Sequence, residues 1–333
     1  MHSTLTTISD RLEIVTVPHH ARTAGFREDV ATGLTAPQKH LSSKYFYDEL
    51  GSAIFDAITH LPEYYLTRAE TEILRESGWD IVRALEEPVE FLELGSGSAT
   101  KTRILIDEAI RAQGALRYSP IDISAEALEA SARALADAYP QVRIRGYAAD
   151  YFDVLGSPVL VRERRVLAMF MGSNIGNYDP VSAAALLRRI EASLQPGDGL
   201  LIGADMKKEA TTLEAAYDDA AGVTAAFDKN LLARINRELG GTFDVRGFDH
   251  VAVYDEKRGC VDSFLEATRA QRVRVEAIGL EIAIAEGERI HTESSYKFDR
   301  DSMAAAVEAA GFRLQRTWTD AAERFGVHLC IKT

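Results

Sequence analysis

The chain has 333 residues, 46% of them hydrophobic and 27% charged, and this globular composition excludes disordered and fibrous proteins. Its 38 Lys and Arg residues and 51 Asp and Glu residues give a net charge of −13, the wrong sign for binding nucleic acid or an anionic membrane surface. Because only two cysteines are present and no apolar run reaches the about 18 residues of a membrane span, we expect a cytoplasmic protein without a structural metal or membrane contact. We further expect a monomer without a nucleic-acid partner.

The hydrophobic pattern predicts the elements in chain order. Residues 1–74 are predicted to be mostly helical, with one helix over 44–60. Strands are then predicted over 89–94, 117–121, 142–149, 165–171 and 200–204, separated by helices over 101–112, from the N-cap Ser124 to Pro140, and over 182–194. Two further strands, 312–318 and 327–332, end the chain. This alternation is typical of a doubly wound α/β fold with a parallel sheet.

A second domain is predicted from two segments outside this alternation. Residues 207–297 begin with a helical pattern over 213–239 and continue with strands at 251–254 and 261–267 around a turn at 256–259. We interpret residues 75–206 with 298–333 as the α/β domain. Residues 1–74 with 207–297 then form an α+β domain that packs over the open end of the sheet, since long connections with their own structure are usually functional covers.

The loop after the first α/β strand is rich in glycine and precedes a helix. Gly95 and Gly97 permit a tight turn and let a ligand approach the backbone, and the helix N-terminus directs its amide groups at that ligand. Asp122 ends the second strand, 27 positions after Gly95, where a carboxylate accepts hydrogen bonds from ribose hydroxyls. Asp150 ends the third strand, where a carboxylate can accept from an adenine amino group. The three strand ends together predict a nucleoside site.

Two residues indicate the kind of nucleoside. The dinucleotide fingerprint has a third glycine where this chain has Thr100, which disfavours NAD. Glu93 lies just before the loop, and a negative group suits a cationic ligand, such as a sulfonium, better than a diphosphate. The extra C-terminal strand pair also matches the sheet of S-adenosylmethionine (SAM)-dependent methyltransferases. We therefore predict a SAM site.

Residues 44–333 resemble the L-histidine Nα-methyltransferases of ergothioneine biosynthesis. The resemblance is carried by KYFYD at 44–48, LPEYYLTR at 61–68, ELGSG at 93–97 with KTR at 101–103, GSNIGN at 172–177, AYDDAAGVT at 216–224 and TESSYKF at 292–298. It implies a Rossmann-like methyltransferase sheet with a substrate-binding domain. It further implies transfer of three methyl groups in turn from SAM to the α-amino nitrogen of free L-histidine, giving hercynine and S-adenosylhomocysteine.

The same motifs imply which residues form the site. SAM would be held by Gly95, Lys101, Asp122, Asp150 and Tyr151. Histidine would be held by Tyr64, Asn177, Tyr217, Glu293 and Ser295, with Tyr65 as the alternative to Tyr64. Tyr47 would lie near the amine and share the catalytic role with Asn177 and Tyr217. No metal is implied.

Three alternatives remain open. The same methyl transfer could act on another aromatic amino acid, such as tryptophan or tyrosine, although an indole or a phenol would not match an acceptor and a donor at Glu293 and Ser295. Ser263 departs from the bulkier residue that is usual in the family, which leaves the strictness of histidine selection open. The chain could instead be an NAD-dependent oxidoreductase, or a non-catalytic subunit that binds a nucleotide or an amino acid.

Overall fold

The computed structural model describes residues 3–17 and 22–333. Its strands are β1 (Thr4–Ser9), β2 (Leu12–Thr16), β3 (Val89–Leu94), β4 (Leu116–Asp122), β5 (Val142–Ala148), β6 (Arg165–Phe170), β7 (Gly199–Asp205), β8 (Phe248–Asp255), β9 (Cys260–Ala267), β10 (Gln271–Val275), β11 (Leu280–Ile284), β12 (Arg289–Tyr296), β13 (Phe312–Thr319) and β14 (Phe325–Lys332).

Its α-helices are α1 (Arg22–Thr35), α2 (Glu49–Ile58), α3 (Leu66–Arg83), α4 (Thr102–Gln113), α5 (Ala125–Ala138), α6 (Tyr151–Val154), α7 (Pro180–Ser193), α8 (Ala210–Tyr217), α9 (Val223–Leu239) and α10 (Arg300–Glu308). None of these helices, within the described residues, combines the length and the apolar composition needed to span a bilayer.

The elements belong to two units. The first contains the described part of Met1–His20, together with Arg68–Met206 and Phe298–Thr333, and the second contains Ala21–Thr67 and Lys207–Lys297. The predicted boundaries differ from this division in two places. The N-terminal strands and residues 68–74 fall in the first unit, whereas the sequence placed them with the second.

The first unit is built on one sheet with the strand order β1-β2-β5-β4-β3-β6-β7-β14-β13. Strands β2 to β7 pair in parallel, while β14 runs antiparallel between β7 and β13. All residues of β3 and β7 are buried, as expected for strands covered on both faces. The strand order reverses at β3, so the carboxyl ends of β3, β4 and β6 meet where open α/β sheets bind ligands. The predicted doubly wound α/β fold is confirmed.

Residues 1–74 were predicted to be mostly helical, but the first elements described in this segment are strands. Strands β1 and β2 form an antiparallel hairpin, and β2 adds to the sheet in parallel with β5, with Leu12 opposite Ile144. Strand β1 is exposed along most of its length and has no repeating apolar positions. Its pairing with β2, which in turn pairs with the distant strand β5, therefore sets its structure.

The helix predicted over 44–60 is shorter than expected and begins at a cap. Ser43–Tyr45 forms a 3-10 turn, and the Asp48 carboxylate then accepts a hydrogen bond from the amide of Gly51 at 2.7 Å, which starts α2. A Cβ atom on Gly51 would lie 1.8 Å from the carbonyl oxygen of Phe46, so only glycine permits this close approach.

The second unit combines helices with two small antiparallel sheets. Strands β12, β9 and β8 form one sheet in that order, and β10 and β11 form a hairpin. Strands β8 and β9 flank the predicted turn, so that hairpin is confirmed. The predicted helix over 213–239 is instead two helices, α8 and α9. The Asp219 carboxylate caps α9 by accepting hydrogen bonds from the amides of Val223 and Thr224 at 3.0 and 2.7 Å.

Candidate active site

The glycine-rich loop of the first unit folds around the end of β4. Gly95 and Gly97 have φ angles of +74° and +49°, a region that glycine enters without steric cost. The amide of Gly95 donates to the carbonyl of Ile121 at 2.9 Å. The Asp122 carboxylate accepts from the amide of Gly97 at 2.8 Å and from that of Ser124 at 2.9 Å. Asp122 therefore fixes the loop, and each of its oxygens keeps a second lone pair for a ligand.

Lys101, in the turn that begins α4, is held by a residue that the sequence analysis missed. Its ammonium forms an ion pair with the Glu70 carboxylate, which is completely buried. Glu70 also accepts a hydrogen bond from the amide of Gly172 at 2.8 Å, just beyond β6. A Cβ atom on Gly203 would lie 2.0 Å from this carboxylate, so the strand leaves room for it. Because Glu70 lies on α3, 31 positions before Lys101, no local motif indicates the pair.

The end of β5 carries the other two predicted SAM contacts. The Asp150 carboxylate accepts a hydrogen bond from the amide of Phe152 at 2.9 Å and caps the short helix α6. The Tyr151 hydroxyl contacts that of Tyr178. Burial, and then the proximity of Tyr178, raise the pKa of the Tyr151 phenol, which therefore remains neutral.

Glu93 does not supply the negative group that the sequence analysis placed beside the ligand. Its carboxylate accepts hydrogen bonds from the Tyr118 hydroxyl and from the Thr102 hydroxyl, the latter at 2.7 Å. Burial raises the pKa of Glu93 to about 7, although these two bonds oppose the shift. Glu93 is therefore a structural link between β3, β4 and α4, and the argument from its charge is wrong.

The loop has the properties that a nucleoside ligand requires. The Ser96 hydroxyl is buried and has no hydrogen-bond partner among the described residues. A Cβ atom at Gly97 would meet no atom within 4 Å, so space lies open beside the backbone. With the Asp122 carboxylate beside this space, the donor and acceptor set fits SAM. Nowhere in residues 3–17 and 22–333 do three or more His, Cys, Asp or Glu side chains form a group that could hold a metal ion.

In the second unit, aromatic rings from distant parts of the chain form a continuous group. The Tyr47 ring lies 5.5 Å from Phe55 and 5.7 Å from Phe227, measured between centroids. The Tyr64 ring lies 6.1 Å from Phe55 and 6.5 Å from Tyr217. We call these five rings the aromatic group. It brings together Tyr47, Tyr64 and Tyr217, three of the predicted site residues.

Tyr65, the alternative to Tyr64, contacts Lys208. Its hydroxyl accepts a hydrogen bond from the Lys208 ammonium at 2.7 Å, and that ammonium lies 4.8 Å from the centroid of its ring. Tyr64 belongs to the aromatic group together with Tyr47 and Tyr217, and this position agrees with its prediction as a substrate contact.

Polar groups adjoin the aromatic group through Tyr217. Its hydroxyl lies 2.8 Å from the Ser295 hydroxyl, and the Lys297 ammonium donates to both, at 2.7 and 2.8 Å. Glu293 is a half-buried residue, and desolvation of its carboxyl, followed by the charge of Asp228, raises its pKa to about 7. Tyr47 is 44% exposed, yet desolvation of its hydroxyl, then Glu293 and Tyr217, raise its pKa.

A buried pair, His250 and Asp228, is hydrogen-bonded to the backbone of Tyr217. The sequence did not indicate this pair. His250 Nδ1 donates to the Asp228 carboxylate at 2.7 Å, and Nε2 donates to the backbone carbonyl of Tyr217 at 2.7 Å. Because both nitrogens face acceptors, the ring is an imidazolium. Burial lowers the pKa of His250, but the bond to Asp228 and its charge reverse this, and the net shift is upward. The pair ties the end of α8 to α9 and β8.

Two remaining residues bear on the predicted substrate site. Asn177 belongs to the first unit, where it ends the 3-10 turn Asn174–Asn177 beyond β6 with its side chain exposed. Ser263 is buried on β9 directly opposite Glu293 on β12, next to an irregularity in the pairing between His291 and Glu293. A small residue therefore stands beside the predicted imidazole acceptor. The roles of all the site residues stay predictions.

The sequence matches known proteins along most of its length. Residues 26–332 match the family described as "Histidine-specific methyltransferase, SAM-dependent". The chain is 43% identical over 306 residues to "Histidine N-alpha-methyltransferase" of Mycolicibacterium smegmatis, covering 92% of this chain and 94% of that protein. It is 43% identical over 307 residues to the protein of the same name from Mycobacterium tuberculosis, with the same coverages. Among solved structures, a DUF574 family protein from Streptomyces avermitilis gives a TM-score of 0.47 at 15% identity, covering 86% of this chain and 92% of that chain.

The family match confirms the predicted enzyme class and methyl donor, and it decides against the NAD-dependent alternative. The chain belongs to the SAM-dependent, histidine-specific methyltransferases.

Proposed function

We propose that the chain transfers three methyl groups, one at a time, from SAM to the α-amino nitrogen of free L-histidine, giving hercynine in the first step of ergothioneine biosynthesis. The first unit binds SAM and the second binds histidine. The observation that carries the choice of substrate is the desolvated Glu293 carboxyl, two positions along β12 from Ser295, whose hydroxyl is bonded to that of Tyr217. The relatives named for histidine Nα-methylation support the same choice.

The imidazole of histidine needs one hydrogen-bond acceptor and one donor. Glu293 can accept from its N–H group, and Ser295 can donate to its other nitrogen. Glu293 and Ser295 are two positions apart on β12, so both side chains leave the same side of the strand. A phenyl or indole side chain would leave these buried polar groups unpaired, which is how such a site rejects it.

The α-amine attacks through its lone pair and therefore has to be neutral when it reacts. A carboxylate beside it would favour the protonated, unreactive form. Tyr47 instead offers a neutral phenol, because its raised pKa keeps the proton on its hydroxyl. Asn177 offers a neutral amide. Such groups can either donate or accept as the methyl groups replace the N–H bonds one after another.

The product carries a quaternary ammonium, which aromatic faces bind well. Within the aromatic group, the rings of Tyr47, Tyr64 and Phe227 lie around Phe55 at centroid distances of 5.5 to 6.1 Å. Cation–π attraction of about 0.5–2 kcal/mol would retain the partly methylated amine for the next transfer.

In the first unit, Gly95, Gly97 and Asp122 bind the nucleoside, while the Lys101–Glu70 pair fixes the ends of β3 and β6. When bound, SAM supplies a methyl group on a positively charged sulfur. The protein then mainly provides proximity and orientation, since an in-line displacement needs little else.

Mass spectrometry of histidine incubated with SAM and the purified chain tests the proposal. We expect a species that has gained three methyl groups, together with transient species that have gained one and two. Tryptophan, tyrosine and phenylalanine serve as parallel substrates. Faster methylation of tryptophan would refute the choice of histidine, and no methylation of any amino acid, despite SAM binding, would refute an amino-acid substrate.

A further inference from the structure

Lys297 lies in a closed triangle of hydrogen bonds with two predicted substrate contacts. Lys297 is 3% exposed, and its ammonium donates to the Tyr217 hydroxyl at 2.7 Å and to the Ser295 hydroxyl at 2.8 Å. The two hydroxyl oxygens are themselves 2.8 Å apart. The ammonium also lies 4.3 Å from the centroid of the Tyr217 ring. Lys297 therefore contacts both ends of this hydroxyl pair.

The number of donors and acceptors in the triangle fixes where its protons point. An ammonium can only donate, so both hydroxyl oxygens accept from Lys297. The two hydroxyls carry one proton each, and the bond between them uses one of these. The other hydroxyl proton has to point away from this bond, so one of the two hydroxyls presents a hydrogen-bond donor to its surroundings.

The chemistry of the two hydroxyls decides which of them presents this donor. A phenol is a stronger acid than an aliphatic hydroxyl, so Tyr217 donates to Ser295 rather than the reverse. Ser295 then accepts from both Lys297 and Tyr217, which occupies its two lone pairs, and its own proton points outward. Glu293, an acceptor on the same side of β12, lies two positions away.

We propose that Lys297 is a specificity-determining positioning residue, which holds the Ser295 hydroxyl as a hydrogen-bond donor and so selects a side chain with an acceptor nitrogen. This inference rests on the proposed histidine function. It assigns Lys297 a role in recognising the side chain, in contrast to a role in binding the carboxylate that all amino acids share.

The test compares histidine with 3-(pyrrol-2-yl)alanine, which keeps a ring N–H group but lacks the acceptor nitrogen. Dissociation constants are measured by calorimetry with S-adenosylhomocysteine present, in the wild type, K297M and K297Q. We expect the wild type to prefer histidine by about 100-fold or more, because an unmatched buried donor is costly. In K297M this preference falls at least tenfold, and in K297Q, whose amide still donates, it falls less. K257M, which removes an exposed lysine from the β8–β9 turn, should keep the wild-type preference.

An equal loss of affinity for both ligands in K297M would overturn the inference, because a carboxylate contact or a structural role predicts that result. A wild type that binds both ligands equally would also overturn it. If K297M fails to fold, K297Q decides alone: an unchanged preference overturns the inference, and a preference reduced through loss of histidine affinity alone supports it. Methyl transfer to histidine is assayed separately, so a failure of the proposed function is distinguished from a failure of this inference.

Discussion

The Asp122 carboxylate at the end of β4 accepts a hydrogen bond from the amide of Gly97, 2.8 Å away in the loop that follows β3. This bond joins two adjacent strand ends and shapes the loop proposed to bind SAM. The same side chain therefore serves the loop and, in our proposal, the ribose of the ligand.

Replacing Asp122 by alanine is expected to weaken binding of S-adenosylhomocysteine. Loss of a charge-assisted hydrogen bond costs about 1.5–3 kcal/mol, which corresponds to an affinity loss of about 10-fold to 150-fold. Calorimetric titration measures the change, and D137A, which removes an exposed carboxylate from α5, is the matched control. Unchanged affinity in D122A would exclude the ribose role.

Substituting Glu293 by glutamine is expected to raise the KM for histidine in a pH-dependent manner. The raised pKa of Glu293, about 7, means that the wild-type group is mostly protonated and neutral below that pH and a charged acceptor above it. The ratio of the KM of E293Q to that of the wild type should therefore be small near pH 6 and rise to about tenfold or more by pH 8. Because the substrate titrates identically with both proteins, this ratio isolates Glu293.

The control for this experiment is E266Q, since Glu266 lies on the neighbouring strand β9 and pairs with Arg289 at 2.6 Å near the surface. We expect its KM ratio to stay near one at every pH. A ratio for E293Q that does not change between pH 6 and pH 8 would remove the Glu293 carboxylate from imidazole recognition.

Replacing His250 by glutamine is expected to destabilise the protein, because Asp228 would lose its cationic partner in the interior. Breaking a buried pair in this way costs about 3–5 kcal/mol. The raised pKa of His250 sets the sign of the pH dependence. The stabilisation that protonated His250 gives the folded protein is complete below about pH 6.5, which is the pKa of histidine in the unfolded chain. This stabilisation is lost as the pH rises through the higher pKa of His250 in the folded protein. The difference in the free energy of unfolding should thus be larger at pH 6 than at pH 9.

Urea unfolding at the two pH values measures this difference. H60Q changes an exposed histidine after α2 and should alter the free energy of unfolding by less than about 0.5 kcal/mol. An H250Q effect that increases with pH would contradict the imidazolium assignment.

Tyr64 and Tyr65 are expected to differ in their effect on ligand binding. Tyr64→Leu removes a ring from the aromatic group and should weaken binding of the trimethylated product by about 0.5–2 kcal/mol, or about 2-fold to 30-fold. Tyr65→Phe removes only the hydroxyl that accepts from Lys208 and should change the affinity little. Calorimetry with hercynine compares the two variants, and a larger loss in Tyr65→Phe would reverse the assignment.

Much of the fold follows from local pattern. Strands such as β3 and β7 are apolar runs buried on both faces, and the glycines and carboxylates that follow parallel strands lie at one edge of a sheet by geometry alone. The sequence therefore predicted the positions of Gly95, Asp122 and Asp150. The family motifs also indicated Glu293 and Ser295, whose alternation on one strand is a local property.

Only the tertiary structure decided which charged side chains form hydrogen bonds or ion pairs with other residues of the protein. Glu93 looks like a ligand contact until Tyr118 and Thr102 are seen to bond its carboxylate. Tyr217, one of the partners of Lys297, lies 80 positions away along the chain, and Glu70, the partner of Lys101, lies 31 positions away. Strand β1 likewise takes its structure from a hairpin added to β5 through β2. Periodicity reports which side of its own element a residue occupies, whereas the partner of a buried polar group depends on which distant segments pack against it.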